Sequence, residues 1–374
     1  MNTKPLSASR LELAATCPGS YAHEHIETTN EAAERGSAVH DYIAAILQGK
    51  DDLLPKDEKT AALCRLLDRS ELMVRATPNG HDKLLVEQAL YLLPTSLSGL
   101  PGEAGLLEGD YHRDYSGAPE GALVGTADVI AVEDDGVTVT DWKTGRGEVA
   151  HPADNYQLKF LGLAAARSFG KHTATVQIGA IRTDGSIDTS SHTMEAEELQ
   201  EIASELARIG RRVEAARNGD PVYQTGSHCR LCPALANCPA VAGAAQAIMD
   251  GPPEELTPTR AAELFRNLQA VEAASKQMRE SLREYVYARP VPTSEGKQLT
   301  VKTQTNEKLD TAKALPVIRQ YLPDDETISE VVTINKSGLS NAFSKEANKQ
   351  VMAELKEAGA VYNTYSEQLR EEKS

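Results

Sequence analysis

The chain has 374 residues, a formal net charge of −16 and a pI near 5.1. So acidic a composition excludes a broad, non-specific nucleic-acid-binding surface, while leaving room for a local basic groove. A 40% hydrophobic content supplies a full core, no apolar run approaches the roughly 18 residues of a membrane span, and the N-terminus lacks a hydrophobic leader, so a cytoplasmic protein of about two domains is expected.

Leu6 to Leu13 opens the fold as a helix. Ser7 or Ser9 suits its N-cap, Ser9-Arg10-Leu11-Glu12 has the pattern of a capping box, and Cys17-Pro18-Gly19 stops it. Asn30 to Leu47 reads as a second helix, with Ala33, Ala38, Ile43 and Ile46 for the core. Gly36 weakens this helix by about 1 kcal/mol relative to alanine, which suggests close approach of a neighbour. His40 lies one turn further on the same face. Residues 51–80 are charged and helical in pattern, with Cys64 in an apolar stripe as a buried structural thiol. Leu84 to Leu93 alternates as a strand and carries Glu87, and residues 94–124, rich in Gly and Pro, read as a loop.

The most informative stretch runs from Gly125 to Gly145. Ala127–Glu133 and Val137–Thr140 are β-prone, and Asp134-Asp135-Gly136 lies between them. An Asp-Gly pair between two such runs signals a hairpin, because glycine accepts the positive φ of a type I′ turn. With Asp135-Gly136 as the loop, Ile130 pairs with Asp141 and Asp128 with Lys143. Alternation then puts Asp128, Asp141 and Lys143 on one face and Trp142 on the other. Two carboxylates at that range repel unless a cation sits between them, and Mg²⁺ takes one or two carboxylates plus water and phosphate oxygens. The plainer reading of Asp-x-Lys is a surface ion pair of small energetic weight.

Asp154 is expected to cap a helix from Asn155 to Ser168, with Tyr156 and Gln157 in its first turn, where amide groups and the dipole favour a phosphate. Thr173–Arg182 is a strand, Asp184-Gly185 a turn, and Ala196–Asn218 an amphipathic helix. Cys229, Cys232 and Cys238 then form C-x₂-C-x₅-C, with Cys17 as the fourth ligand about 210 residues earlier. Four thiolates fit zinc or [4Fe–4S], and spacing does not separate the two. Either would staple the N-terminal helix to the far segment. Residues 241–258 read as a linker around Gly251-Pro252-Pro253. Beyond it, Thr259–Ala288, Leu309–Tyr321 and Ser337–Gly359 are helical in pattern, Leu299–Thr303 is a strand, and no catalytic constellation is visible.

Asp128 followed by Asp141-Trp142-Lys143 resembles the core of PD-(D/E)xK nucleases. Gly125-Thr126-Ala127-Asp128 with Asp141-Trp142-Lys143-Thr144-Gly145, Gly36-x-x-x-His40, Gln157 and the cysteines resemble the RecB/Cas4-like branch, over residues 6–240. The resemblance implies an α/β, restriction-endonuclease-like core of a mixed central sheet flanked by helices in residues 1–240, and a mainly helical accessory domain in 259–374 like that of phage-type members. It implies that His40, Asp128, Asp141 and the Trp142 backbone carbonyl hold Mg²⁺ or Mn²⁺, and that Lys143 and Gln157 assist catalysis. It adds Glu87 as a candidate acid and favours [4Fe–4S] over Zn²⁺ at Cys17, Cys229, Cys232 and Cys238. Where the branch often has tyrosine four residues after the glutamine, this chain has Leu161, and Tyr156 is the candidate substitute. The implied activity is a metal-dependent DNA exonuclease acting on ends in recombination, repair or phage DNA metabolism, with DNA as partner and a recombination or replication protein as candidate partner of the C-terminal region. The competing expectation is a non-catalytic DNA-binding or scaffold subunit that keeps the fold.

Overall fold

The structure, a computed structural model, describes residues 5–25, 31–50, 54–93, 103–108, 115–144, 151–250, 256–293, 297–301 and 345–357. A seven-stranded mixed sheet organises the described residues up to Met194, in the order β3-β2-β4-β5-β6-β7 with β1 alongside β4. The strands are β1 (Leu6–Ser7), β2 (Lys83–Leu92), β3 (Ala104–Leu106), β4 (Leu123–Val132), β5 (Gly136–Thr144), β6 (Thr173–Ile181) and β7 (Ile187–Met194). The central strands β4 and β5 are buried nearly end to end, as strands covered on both faces must be. Pairing is antiparallel except for β1–β4 and β5–β6, which are parallel.

Helices cover both faces. On one lie α1 (Leu11–Thr16), α5 (Tyr156–Ser168) and α6 (Ala196–Arg217), where Leu11, Leu158, Phe160, Leu161 and Leu206 pack on Ile130, Val139 and Val176. On the other lie α2 (Glu31–Leu47), α3 (Glu58–Cys64) and α4 (Arg69–Ala76), where Ile43, Ile46, Cys64 and Leu72 pack on Val129 and Trp142. Cys64 is fully buried there, and burial alone pushes its thiol up to about 11.

Several sequence expectations need correction. Leu6-Ser7 is a strand rather than a helix start, because parallel pairing to Leu123 and Val124 claims it. Ser7 precedes a 3-10 turn (Ala8–Arg10) without capping it through its side chain. The N-cap position of the short α1 is Arg10, so neither Ser7 nor Ser9 occupies it and the capping box is absent. Asn155, not Asp154, caps α5 by accepting from the Leu158 N–H. Residues 94–124 hold β3, which pairs with β2 through three residues too few to show alternation. The expected linker contains a helix, α7 (Pro239–Met249), and α8 (Pro258–Ala288) packs beside it. Thr257 caps α8 by accepting from the Arg260 N–H. The strand expected at Leu299–Thr303 is a small hairpin of β8 (Val291–Pro292) and β9 (Gln298–Leu299). A last helix, α9, spans Lys345–Glu357, while Leu309–Tyr321 lies outside the described residues. Among the described residues no helix is long and apolar enough to cross a membrane.

Gly125 marks a tightly packed part of the α5 face. A Cβ there would lie 2.7 Å from Ala8 Cβ and 2.9 Å from Phe160 Cε1. Gly125→Ala should therefore destabilise the protein by about 1–3 kcal/mol through overpacking. Chemical denaturation of the two proteins checks this, and an unchanged midpoint would contradict the packing described.

Candidate metal and nuclease site

The site lies where β4 and β5 part. Their ladder runs from Val132↔Val137 to Val129↔Thr140, and the Glu133 N–H donates to Gly136 O at 2.9 Å. The two-residue loop is thus Asp134-Asp135, and the expected register is shifted by two: Ile130 faces Val139, not Asp141. A shift of two preserves which residues share a face. Gly136 does not have positive φ. It is needed for another reason, since a Cβ there would fall 2.5 Å from Thr173 Oγ1.

Beyond Thr140, β5 stays with β6, pairing Asp141 with Ile178, Trp142 with Gly179 and Lys143 with Ala180. The other end of β4 stays with β2 and β1. The Trp142 indole fills the space over Gly179, its partner on β6, where any Cβ would collide with the ring. The resulting fork is tied at one point. Asp128 Oδ2 accepts a hydrogen bond from the Trp142 backbone N–H at 2.7 Å.

Two groups of side chains meet at the fork. The first is His40 from α2, Glu87 from β2 and Asp128 from β4, whose candidate ligand atoms lie within 4.8 Å of one another. His40 Nδ1 is 3.3 Å from Asp128 Oδ2. Glu87 has φ +54, the only non-glycine residue with positive φ among those described. At this residue the β2–β4 ladder skips from Val86↔Val129 to Gln88↔Ala127. A side chain held in this region costs about 1–3 kcal/mol, and such strain concentrates at functional sites. Gly36, one turn before His40, would place a Cβ 3.5 Å from Thr144 Oγ1, an ordinary contact. The close approach expected there therefore does not itself require glycine.

The second group is Asp141, Lys143 and Gln157. Asp141 is buried, its Oδ2 forms an ion pair with Lys143 Nζ at 2.6 Å, and its Oδ1 accepts from Gln157 Nε2 at 3.1 Å. Burial pushes its carboxyl up to about 6; Lys143 opposes that rise and Asp128 adds to it. Burial lowers the His40 pKa, but the hydrogen bond to Asp128 and the charges of Asp128 and Asp141 outweigh it, so the net shift is upward. Asp141 is thus bound to Lys143 and Gln157 while its charge also acts on Asp128 and His40, and Glu87, a candidate acid in the sequence, joins His40 and Asp128. Its signal in the sequence was the Glu87-Gln88 pair interrupting a mostly apolar strand. Tyr156 turns away: its hydroxyl donates to Glu205 Oε1 at 2.7 Å, which with burial raises it to about 12. Leu161 is core.

Two carboxylates and an imidazole nitrogen at this spacing suit a hard or borderline divalent cation. The neighbouring lysine and amide add a donor and an orienting group on the α5 side.

A separate constellation forms at the cysteines. Cys229 is buried with Leu235, Val241 and Ala270, and Cys232, Cys238, Ala273 and Ala274 pack against them. Cys17 arrives from the N-terminus on a stitched segment. Gly19 N–H donates to Val222 O at 2.8 Å, Gln224 N–H to Cys17 Sγ at 3.4 Å, and His23 bonds Tyr223 at 2.8 Å. Burial raises the Cys17, Cys229 and Cys232 thiols, and each feels its neighbours: Cys17 that of Cys238, Cys229 those of Cys17 and Cys238, and Cys232 all three others.

Fold and donor set together are those of a metal-using, phosphodiester-cleaving nuclease. A family model described as the PD-(D/E)XK nuclease superfamily matches residues 5–239, and the chain belongs to that superfamily. No curated protein matches the sequence. The solved structure titled "Crystal structure of SSO0001" is similar over 62% of this chain and 94% of its own, at 13% identity and a TM-score of 0.26.

Removing a donor should expose the metal group directly. His40→Ala and Glu87→Gln should each weaken Mn²⁺ affinity at least about tenfold by calorimetry, while Tyr156→Phe leaves it unchanged. A metal-ligating imidazole must be neutral. Because the His40 pKa is raised above its usual 6.5, affinity should begin to fall on acidification at a pH above the ordinary histidine range. Affinity independent of pH through that range would exclude His40 from the metal.

Proposed function

We propose that the chain is an Mg²⁺- or Mn²⁺-dependent deoxyribonuclease that degrades DNA from its ends. The observation that carries this reading is the convergence, at one fork, of His40, Glu87 and Asp128 with the Asp141–Lys143–Gln157 group. His40, Glu87 and Asp128 would hold the divalent ion, with Asp141 and the Trp142 carbonyl as further oxygens facing it. The ion's contribution is to acidify bound water and offset charge on the phosphate. Lys143 Nζ, fixed by Asp141, is the group that orients the attacking water and meets the negative charge that develops as the phosphodiester opens. Gln157 holds Asp141 in place, so the lysine's partner does not rotate away. Lys143 opposes the rise that burial imposes on the Asp141 carboxyl, and their ion pair fixes the lysine in turn.

Attack on ends, and a role in recombination, repair or phage DNA metabolism, follow the branch that Gly36-x-x-x-His40 and Asp141-Trp142-Lys143-Thr144-Gly145 resemble. The four cysteines are assigned a [4Fe–4S] cluster on the same ground, with zinc as the alternative. What supports a bound group is the hydrogen-bonded delivery of Cys17 to a thiol cluster from the opposite end of the domain. The assigned role is structural. Residues 1–240 would form the nuclease domain and 259–374 an accessory region, although α8 already packs on the cysteine segment.

Asp141→Ala and Lys143→Ala should each abolish Mn²⁺-dependent cleavage of end-labelled linear DNA, with closed circular DNA uncut by the wild type. Wild-type cleavage by either variant would refute the assignment, and cleaved circles would refute attack at ends. Metal analysis of purified protein should find iron and sulfide at roughly four each per chain, both lost in Cys17→Ser and retained in Cys64→Ser. One zinc per chain would replace the cluster but keep the staple, whereas full metal in Cys17→Ser would remove Cys17 from the site.

A further inference from the structure

A solvent-open cavity of about 360 Å³ lies at the C-terminal end of α2. Its walls include Tyr42, Ile46 and Leu67, all nearly buried, and its rim carries Lys50, Arg65 and Arg69. Three cations around one cavity are notable in a chain with 55 acidic residues and 39 Lys and Arg. The backbone fixes where two of them leave the chain. Gly49 ends α2 at φ +71, with its N–H donating to Ile46 O and that of Lys50 to Ala45 O. This pair of bonds is a Schellman cap, which fixes where the backbone delivers Lys50. Arg69 begins α4 directly after its Asp68 cap, and its Nη2 lies 3.4 Å from where a Gly49 Cβ would sit. Arg65 holds Glu58 at 2.7 Å. Among the described residues Lys50 and Arg69 form no ion pair.

The cavity is distinct from the fork. Tyr42 and Ile46 follow His40 by two and six residues, which turns them about 200° and 240° round the helix. No residue of the metal group lines it. The ligand it suits has a compact, multiply charged anion for the rim and a flat or apolar body for the walls. A phosphate monoester is the anion that two lysine- and arginine-type donors satisfy best. A volume at the lower end of small-molecule pockets admits one nucleotide-sized body.

We propose that this cavity binds a nucleoside phosphomonoester, whose phosphate meets Lys50 and Arg69 and whose base and sugar lie against Tyr42, Ile46 and Leu67. Two sources share this chemistry: a free mononucleotide and the 5′-phosphorylated end of a strand. The site is separate from the proposed catalytic centre, and its occupancy requires no cleavage.

The test is a titration of the full chain in EDTA with dAMP, inorganic phosphate, and short oligonucleotides bearing a 5′-phosphate or a 5′-hydroxyl. Wild type and Asp128→Asn should bind dAMP or the 5′-phosphorylated strand alike. Lys50→Gln and Arg69→Gln should each lose about tenfold, the loss of one charge-assisted contact, while Arg69→Lys recovers most of it. A preference for dAMP identifies the free nucleotide, and a preference for the 5′-phosphorylated strand over its hydroxyl counterpart identifies the strand end. Thermal melting of each variant separates lost binding from lost fold, and the Arg69→Gln and Arg69→Lys pair suffices if Lys50→Gln does not fold. The proposal is overturned if none of these ligands binds, if phosphate alone binds as tightly as dAMP, or if affinity survives Arg69→Gln but is lost in Asp128→Asn. The last result would place the ligand at the fork. Loss of nuclease activity in every assay, with this binding intact, would overturn the catalytic reading and leave the cavity's assignment standing.

Discussion

One hydrogen bond sets the geometry of the fork: the Asp128 carboxylate receives the Trp142 backbone N–H at 2.7 Å. Beyond Thr140 the β4 and β5 backbones no longer pair with each other. Without this bond an amide at the centre of a buried sheet would be left without its ladder partner, at about 1–3 kcal/mol for an unsatisfied donor. With it, Asp128 is fixed at the point where the strands part. His40 from α2 can then reach one of its oxygens, and β2 must bend at Glu87 to bring a second carboxylate alongside.

That arrangement concentrates negative charge in a poorly solvated place. Asp128 lies near both Glu87 and Asp141, and Asp141 is pushed up to about 6, chiefly by burial. Lysine at 143 and histidine at 40 offset part of this charge, and a divalent cation would offset the rest. The strained Glu87 backbone has the same logic. A residue in the left-handed region is retained where the surroundings require its side chain at one position. The folded sheet therefore holds a candidate metal-binding geometry at some expense of its own regularity.

Much of this was legible in the sequence because period-two alternation survives a register error of two. The expected hairpin misplaced its loop, yet the partition of Asp128, Asp141 and Lys143 from Trp142 depends only on parity. The α2 helix, α5 with Gln157 in its first turn, and the cysteine segment could likewise be read from pattern and spacing. What was not legible depended on tertiary contact. Gly136 was taken for a turn glycine, whereas it serves close packing against Thr173. Ser7 was taken for a cap, whereas a parallel partner far along the chain makes it a strand. The division of the polar residues into two groups arises from the skipped pair at Glu87, which no local propensity encodes. Helix α7 was hidden by the glycines and prolines that flank it.

The central claim is that His40, Glu87 and Asp128 together hold a divalent cation at the fork. Anomalous diffraction at the manganese edge from crystals grown with Mn²⁺ tests it most directly. The account predicts a peak bounded by the His40 ring nitrogen and by carboxylate oxygens of Glu87 and Asp128, at a little over 2 Å from each, in keeping with a small divalent ion. A fork without a peak at saturating Mn²⁺, or a peak that leaves Glu87 and His40 uncoordinated, would contradict it.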